Sequence, residues 1–420
     1  MSSRETATAQ ATATLPWTGR VFLFAGVVLL GLSLRHAVTG VSPLLSTIEV
    51  DIGLGALGAT VLGMLPTIAF GVAGFTTPSI IRRAGLPLVA VIAMGLGAFG
   101  TVVRVLAEGP FVFLTFGALA LFGMGMGNVV GPPLVKKYFS DRQGTAMSVL
   151  VLMMQAGATI PAMLALPLAS AAGWRVSVGS WALLMILAAL PWLSALAKDR
   201  SDTHGQTAAP DSKDQTFGLS TLVRNPVSAG AALFYGMAAL NTYAMLAWMP
   251  TIFESLGMTQ GEAASMYAIY TFLTLPMAFI SPILATKLKN PLPFGILLSV
   301  VAAVGYLGMI AAPLSTAPLW VFVAGLGGGA FPFAMTMFNL RTKTTQGSAA
   351  VTGFGMGCGY AFGTVGPFLG GLLSSLSGSW TVPLIVFALT AIPMIAGAVM
   401  LTRGWKFEDL ISARRAEGTP

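Results

Sequence analysis

An all-α polytopic membrane protein, with twelve transmembrane helices in two six-helix halves, is the fold class this sequence predicts. Three observations predict it. Of 420 residues, 55% are apolar and 9% are charged, against about 25% charged in soluble domains. Twelve apolar runs are each long enough to cross a hydrocarbon core, which takes about 20 residues. A polar stretch, KDRSDTHGQTAAPDSKDQTFG, stands at the middle and divides the runs six and six.

In order, the runs fall at 20–45, 54–79, 86–107, 110–137, 143–170, 174–197, 226–253, 260–286, 291–312, 317–340, 346–376 and 380–402. Each is closed off by charge. On one side stand Arg82 and Arg83, Lys136, Lys137 and Arg142, Lys198 and Arg200, Lys287 and Lys289, Arg341 and Lys343, then Arg403, Lys406, Arg414 and Arg415. The opposite loops take only Arg104 and Arg175 among the basic residues, with Glu49, Asp51, Glu108, Glu254 and Glu262. Basic loops stay in the cytoplasm, so both termini are expected there, with the chain in the cytoplasmic membrane. The expected divisions are a tail at 1–19, halves at 20–197 and 226–402, a linker at 198–225 and a tail at 403–420.

Composition also excludes function classes. The single cysteine, Cys358, and the two histidines leave no basis for a metal centre or a disulfide framework. No cofactor is expected. The net charge of +8 invites a nucleic-acid reading, but the basic residues sit in loops between apolar runs, where membrane topology places them. The contacts expected are lipid and a small solute, with no nucleic acid and no obligate second copy. An enzyme would need a cluster of nucleophile, base or metal ligands, and the spans hold none. A transporter-like receptor would carry a sizeable extra soluble domain.

Internal repetition points to duplication. Gly123-Met-Gly-Met-Gly127 recurs as Gly325-Leu-Gly-Gly-Gly329, Gln143-Gly144 as Gln346-Gly347, and Trp174 as Trp380. Each pair is about 200 residues apart and the order is kept. Transporters built from repeats place their binding site near the midplane between them. The glycine runs lie within apolar helices with no strand before them. They read as close helix packing, not as a nucleotide loop.

The chemistry-bearing residues are few. Arg35 follows the uncharged run VFLFAGVVLLGLSL. A charge at that depth costs about 2.5–3.5 kcal/mol on insertion scales and usually faces a bundle interior or a wet cavity. Arg35 is therefore the candidate anchor for an anion, since a guanidinium offers a fork of donors to a carboxylate. A structural arginine bonded to carbonyls is the alternative. His36 titrates near neutral pH and is the candidate for proton coupling. Thr39 lies one turn from Arg35, either lining a cavity or back-bonding to a carbonyl. Asn128, Gln155 and Asn241 are amides within spans and should turn inward, to touch cargo or bridge helices. Tyr243 and Tyr360 are candidates for the site. Tyr270 shares a helix face with Tyr267 and Thr274, as packing or as lining. Lys136 and Arg341 close the fourth and tenth spans and are candidates for an inner gate. Acids are absent from the depth of every span, which disfavours cationic cargo.

Three motifs carry a family resemblance. Leu34-Arg35-His36-Ala37-Val38-Thr39, followed by Val41-Ser42-Pro43, is similar to an LRPA-(I/V)-T segment. Gly127-Asn128-Val129-Val130 with Pro132-Pro133-Leu134-Val135-Lys136-Lys137 is the second. Gly359-Tyr360-Ala361-Phe362 with Gly366-Pro367 and Gly370 is the third. Together they resemble the cyanate and 2-nitroimidazole transporter family of bacteria, a branch of the major facilitator superfamily. His36 replaces that family's proline. The superfamily's acidic loop motif after the second helix lacks its aspartate here and keeps Arg82 and Arg83. The resemblance implies a major-facilitator-type fold. It also implies a secondary or facilitative carrier, a symporter among its forms, that moves a small anionic or polar organic solute by alternating access. An efflux carrier for a toxic or nitro-aromatic compound is the alternative, with Tyr243, Tyr270 and Tyr360 as stacking surfaces. Protons are the expected coupling ion.

Overall fold

The structure, a computed structural model, describes residues 17–203, 217–312 and 314–416. The outermost tails and most of the expected linker lie outside the described residues. A chain within lipid must satisfy every backbone polar group internally, and a continuous helix does so along its whole length. The helices are α1 (Trp17–Ser33), α2 (His36–Thr39), α3 (Leu45–Ile52), α4 (Gly55–Ala84), α5 (Leu86–Val105), α6 (Pro110–Tyr138), α7 (Gln143–Gly179), α8 (Trp181–Thr203), α9 (Leu219–Arg224) and α10 (Pro226–Ser255). They continue as α11 (Gln260–Phe272), α12 (Thr274–Lys287), α13 (Leu292–Ala311), α14 (Ala317–Leu326), α15 (Ala330–Leu340), α16 (Thr345–Ser377), α17 (Thr381–Leu389), α18 (Ala391–Thr402) and α19 (Phe407–Ala416).

These helices make up the twelve expected crossings, several of them broken in mid-span. The first crossing is α1 and α2, interrupted at Leu34 and Arg35. The eighth is α11 and α12, the tenth α14 and α15, the twelfth α17 and α18. In α7 the dihedrals break at Gly173, with φ of +85°, and this separates the fifth crossing from the sixth. Among the described residues nine stretches are apolar and long enough to span by composition, one of them, Ser140–Ala197, holding two crossings. The remaining two crossings are α10 and α16. Both lie at the centre, packed on protein: Gly366 of α16 meets the Leu240 carbonyl of α10, and Gly359 meets the Tyr235 ring.

Helix starts follow local chemistry. Thr259 and Glu262 form a reciprocal capping box at the head of α11, which meets two of the orphan N–H groups there. Asn225 accepts from the Val227 N–H at 2.9 Å at the head of α10. It also donates to the Phe407 carbonyl at 3.1 Å, which ties α10 to the C-terminal helix.

The two halves meet at one end. A Cβ added at Gly74 of α4 would lie 2.6 Å from the Gly357 nitrogen of α16. Gly353 abuts Pro78 in the same crossing. Gly144 of α7 faces Thr286 of α12, where an added Cβ would lie 2.7 Å from the hydroxyl. Lys136 reaches from α6 into the turn after α15. All these approaches lie in the helix portions nearer the basic loops. The other portion of the eighth crossing, α11, packs instead on α10 and α14 of its own half. Two clefts, of about 470 Å³ and 180 Å³, flank the basic-end contact. One is lined by 141–145 with 283–287, the other by 74–82 with 217–222 and 350–354.

Candidate functional site

The first crossing sets the site. Its helix stops at Ser33 and restarts at His36, and Arg35 between them takes φ of −133°. The Arg35 carbonyl then accepts from Val38 N–H at 3.1 Å and Thr39 N–H at 3.2 Å, so the residue heads the short α2 turn. Its guanidinium lies 6.0 Å from the centroid of the Phe70 ring on α4. From the other half it is faced by the hydroxyls of Tyr243 and Tyr235 on α10 and of Tyr360 on α16. The rings form one cluster, with Tyr360 centred 5.1 Å from Phe70, 6.2 Å from Tyr235 and 6.3 Å from Tyr243. Arg35 keeps part of its surface exposed, and no carboxylate pairs with it among the described residues.

Several polar atoms here have no protein partner. They are the Nε of Arg35, the hydroxyl of Tyr360, and both the nitrogen and oxygen of the Asn128 amide. Burying such groups unpaired costs about 1–3 kcal/mol each. Asn128 lies on the face of α6 that turns between α4 and α7. Along α6, Gly125 faces Phe70 and Ala73 of α4, while Gly131 faces Leu150 of α7. At 100° per residue, Asn128 projects between those two directions. What the cluster offers a ligand is a fork of N–H donors, phenols and aromatic faces.

Gln155 crosses between the halves, its Nε2 donating to the Thr274 hydroxyl at 3.0 Å. This bond stands where the eighth crossing breaks. Other candidates are drawn elsewhere. Thr39 back-bonds to the Arg35 carbonyl at 3.3 Å. Asn241 donates to the Thr390 hydroxyl at 2.7 Å, a bridge within its own half. Tyr270 is enclosed beside Tyr306 and Thr242, also within that half. His36 turns away from the tyrosines. It is 2% exposed and its ring stacks on Trp181, with centroids 6.2 Å apart.

Of the gate candidates, Lys136 joins the halves. Its Nζ donates to the Asn339 carbonyl at 2.7 Å, to the Thr342 hydroxyl at 2.8 Å, and to the Thr342 carbonyl. Arg341 stays within its half, its Nη2 donating to the Thr402 carbonyl at 2.5 Å. The turn they share is held from below by the C-terminal helix. Glu408 accepts from the Lys343 and Thr344 N–H groups at 2.8 and 2.9 Å, and Lys406 donates to the Leu340 carbonyl at 2.5 Å. Burial, then the nearby Arg341 charge, pushes the Lys406 ammonium below the usual lysine range.

Two members of the site escape sequence reasoning. Tyr235 lies eight residues before Tyr243 on the same helix, and a hydroxyl in an apolar run was its signal. Phe70 is one of 25 phenylalanines and carries no signal of its own. A correction concerns Arg104. The sequence reading assigns it to a loop, but it is fully buried in the last turn of α5.

Comparisons with known proteins agree with this architecture. The family model of the Major Facilitator Superfamily matches residues 21–339. The chain is 28% identical to the uncharacterized transporter YycB of Bacillus subtilis, covering 89% of this chain and 91% of that one. It is 28% identical to the 2-nitroimidazole transporter of Escherichia coli, with 89% and 94% covered. To the cyanate transport protein CynX of Escherichia coli the identity is 24%, with 88% and 94% covered. Among solved structures, the transporter FucP in the outward conformation superposes with a TM-score of 0.72 at 15% identity, covering 92% of this chain and all of that one. The proton:xylose symporter XylE gives 0.72 at 14% identity, covering 95% and 100%. These two likenesses speak for the fold alone. With three quarters of its length matched by the family model and its helices in the same arrangement, the chain belongs to the Major Facilitator Superfamily and is a membrane transporter of small-molecule solutes, not an enzyme.

Proposed function

We propose that this transporter moves a small anionic or polar organic solute across the bacterial cytoplasmic membrane by alternating access, with Arg35 as the anchor. The observation that carries the reading is the Arg35 guanidinium. It stands at a helix break between the halves, has an unpartnered Nε, and faces three tyrosines and, among the described residues, no carboxylate. A half-buried guanidinium with no counter-ion among the described residues favours a ligand that brings negative charge or a strong acceptor. Two relatives are named for cyanate and for 2-nitroimidazole; the first is an anion and the second a flat ring bearing a nitro group. The Tyr243 and Tyr360 rings favour flat cargo, and this is also what supports the second reading, efflux of a nitro-aromatic compound. Direction follows the gradients.

With the basic loops in the cytoplasm, the halves touch at the inner side, and the site faces outward. Lys136 then serves as the inner latch, with Arg341 bracing the turn it grips. The carrier acts as a monomer, since each chain holds both halves of the site. A proton is the coupling ion of this reading. His36 is enclosed between Trp181 and Arg104, so its ring must leave that stack to carry one. His36→Gln then flattens the pH dependence of uptake in vesicles, and an unchanged profile removes the histidine from coupling.

The anchor is tested by thermal shift of the purified protein against cyanate, nitrate, small mono- and dicarboxylates and nitroimidazoles. One class should raise the melting temperature of the wild type, as binding to the folded state requires, and leave Arg35→Ala unmoved. A solute that stabilises both proteins equally removes Arg35 from recognition.

A further inference from the structure

Arg104 is a second guanidinium within the membrane, and the proposed transport site does not use it directly. It is fully buried. Its Nη1 donates to the Ala37 carbonyl at 3.2 Å, across 67 residues of sequence. Its guanidinium carbon lies 4.4 Å from the centroid of Phe113, a contact that offsets part of the burial. Gly117 makes room for it: a Cβ added there would lie 3.5 Å from the Arg104 Cζ and Nη2. The Nε and Nη2 have no partner, and no carboxylate pairs with the group among the described residues. An apolar side chain would pack in this place without the expense of a buried charge. The charge therefore needs a reason.

The reason lies in what the Ala37 carbonyl is. In an unbroken helix it would accept from the N–H of Val41. Here α2 ends at Thr39, and the chain passes through Gly40 into a tight turn, Ser42–Leu44, that contains Pro43. The last carbonyls of a helix lack helical partners, and a cation at that end also meets the negative pole of the turn. Arg104 supplies both. The turn it caps is the one headed by Arg35, whose carbonyl takes the N–H groups of Val38 and Thr39 and the Thr39 hydroxyl.

We infer that Arg104 is a positioning residue for the site: it caps the detached turn of the first crossing and so fixes the aim of Arg35 toward the tyrosine cluster. This rests on the reading of Arg35 as the anchor, and its test is independent of any solute. Wild type, Arg104→Met and Arg104→Lys are reconstituted in nanodiscs. Two measurements are made: hydrogen exchange of the amides in 34–41, and the rate at which phenylglyoxal modifies Arg35, read by peptide mass spectrometry. Arg104→Met should raise exchange in 34–41 about tenfold and change the Arg35 labelling rate severalfold, with exchange in α10 and α16 unchanged. Arg104→Lys, which keeps a charged donor, should restore both towards wild type. If Arg104→Met fails to accumulate, Gly117→Val presses the guanidinium from the other side and should give the same pair of changes. Unchanged exchange overturns the cap. Raised exchange with unchanged Arg35 labelling overturns the positioning role and leaves only a structural cap. Failure of Lys to restore either readout also overturns it. Solute binding that survives Arg35→Ala sinks the anchor reading instead and leaves these exchange results standing.

Discussion

Tyr360 is where stability and the proposed recognition can be told apart at a single residue. Its ring is locked among Phe70, Tyr235 and Tyr243, while its hydroxyl is buried without a protein partner. Removing this hydroxyl relieves a desolvation penalty and gives up no more than its approach to the Tyr235 hydroxyl. Tyr360→Phe should therefore melt at or slightly above the wild-type temperature, yet bind the stabilising solute about fivefold more weakly, the equivalent of one hydrogen bond of about 1 kcal/mol. Calorimetric binding beside a thermal melt checks both. At this scale the sequence was partly legible. Arg35 stands out because a charge after fourteen uncharged residues has no bland explanation in lipid. Arg104 does not, because it lies four residues before Glu108 and reads as the edge of a loop. Only the fold brings Ala37, Phe113 and Gly117 to it.

The short helix α3 makes the same point for elements. It follows the first crossing at the end away from the basic loops, and Asp51 pins it to the head of the sixth crossing. The Trp174 indole N–H donates to the carboxylate at 3.0 Å, and Arg175 approaches at 2.6 Å. The indole first, and the guanidinium after it, hold the Asp51 carboxyl below the usual carboxylate range. A group with a depressed folded pKa stabilises above its unfolded value and loses that contribution as pH falls through the folded one. Asp51→Asn should thus melt lower than wild type at pH 6, and the two curves should converge as pH falls through the depressed folded value of the carboxyl. A gap that persists in acid would mean that the carboxylate charge is not what holds α3. Span positions were legible from runs of apolar residues. The break at Leu34–Arg35 was not, since neither position holds proline or glycine, whereas those at Leu273 and Thr390 each stand three residues before a proline, Pro276 and Pro393, whose missing N–H interrupts the helix there. Hydropathy alone reveals none of the four interruptions, since each of those crossings lies in a stretch apolar and long enough to span.

For the whole molecule, the helical transporter fold was readable, but which end of the two bundles is joined was not. That depends on small residues meeting across the boundary, Gly74 with Gly357 and Gly353 with Pro78, and on Lys136. Hydrogen bonds from a charged donor contribute about 1.5–3 kcal/mol each. Lys136→Met should move the balance between inner-closed and inner-open forms roughly ten- to hundredfold towards open. Gly144→Cys with Thr286→Cys, in a Cys358→Ser background, should then cross-link more slowly than in the presence of Lys136; equal rates would show that the lysine does not hold the halves together. Two of the three acceptors of that lysine are peptide oxygens. Side-chain substitution in the 339–342 turn cannot delete them. Inheritance can therefore rewrite the lock freely but not the key, and crippling lesions at this seam should gather on one partner alone.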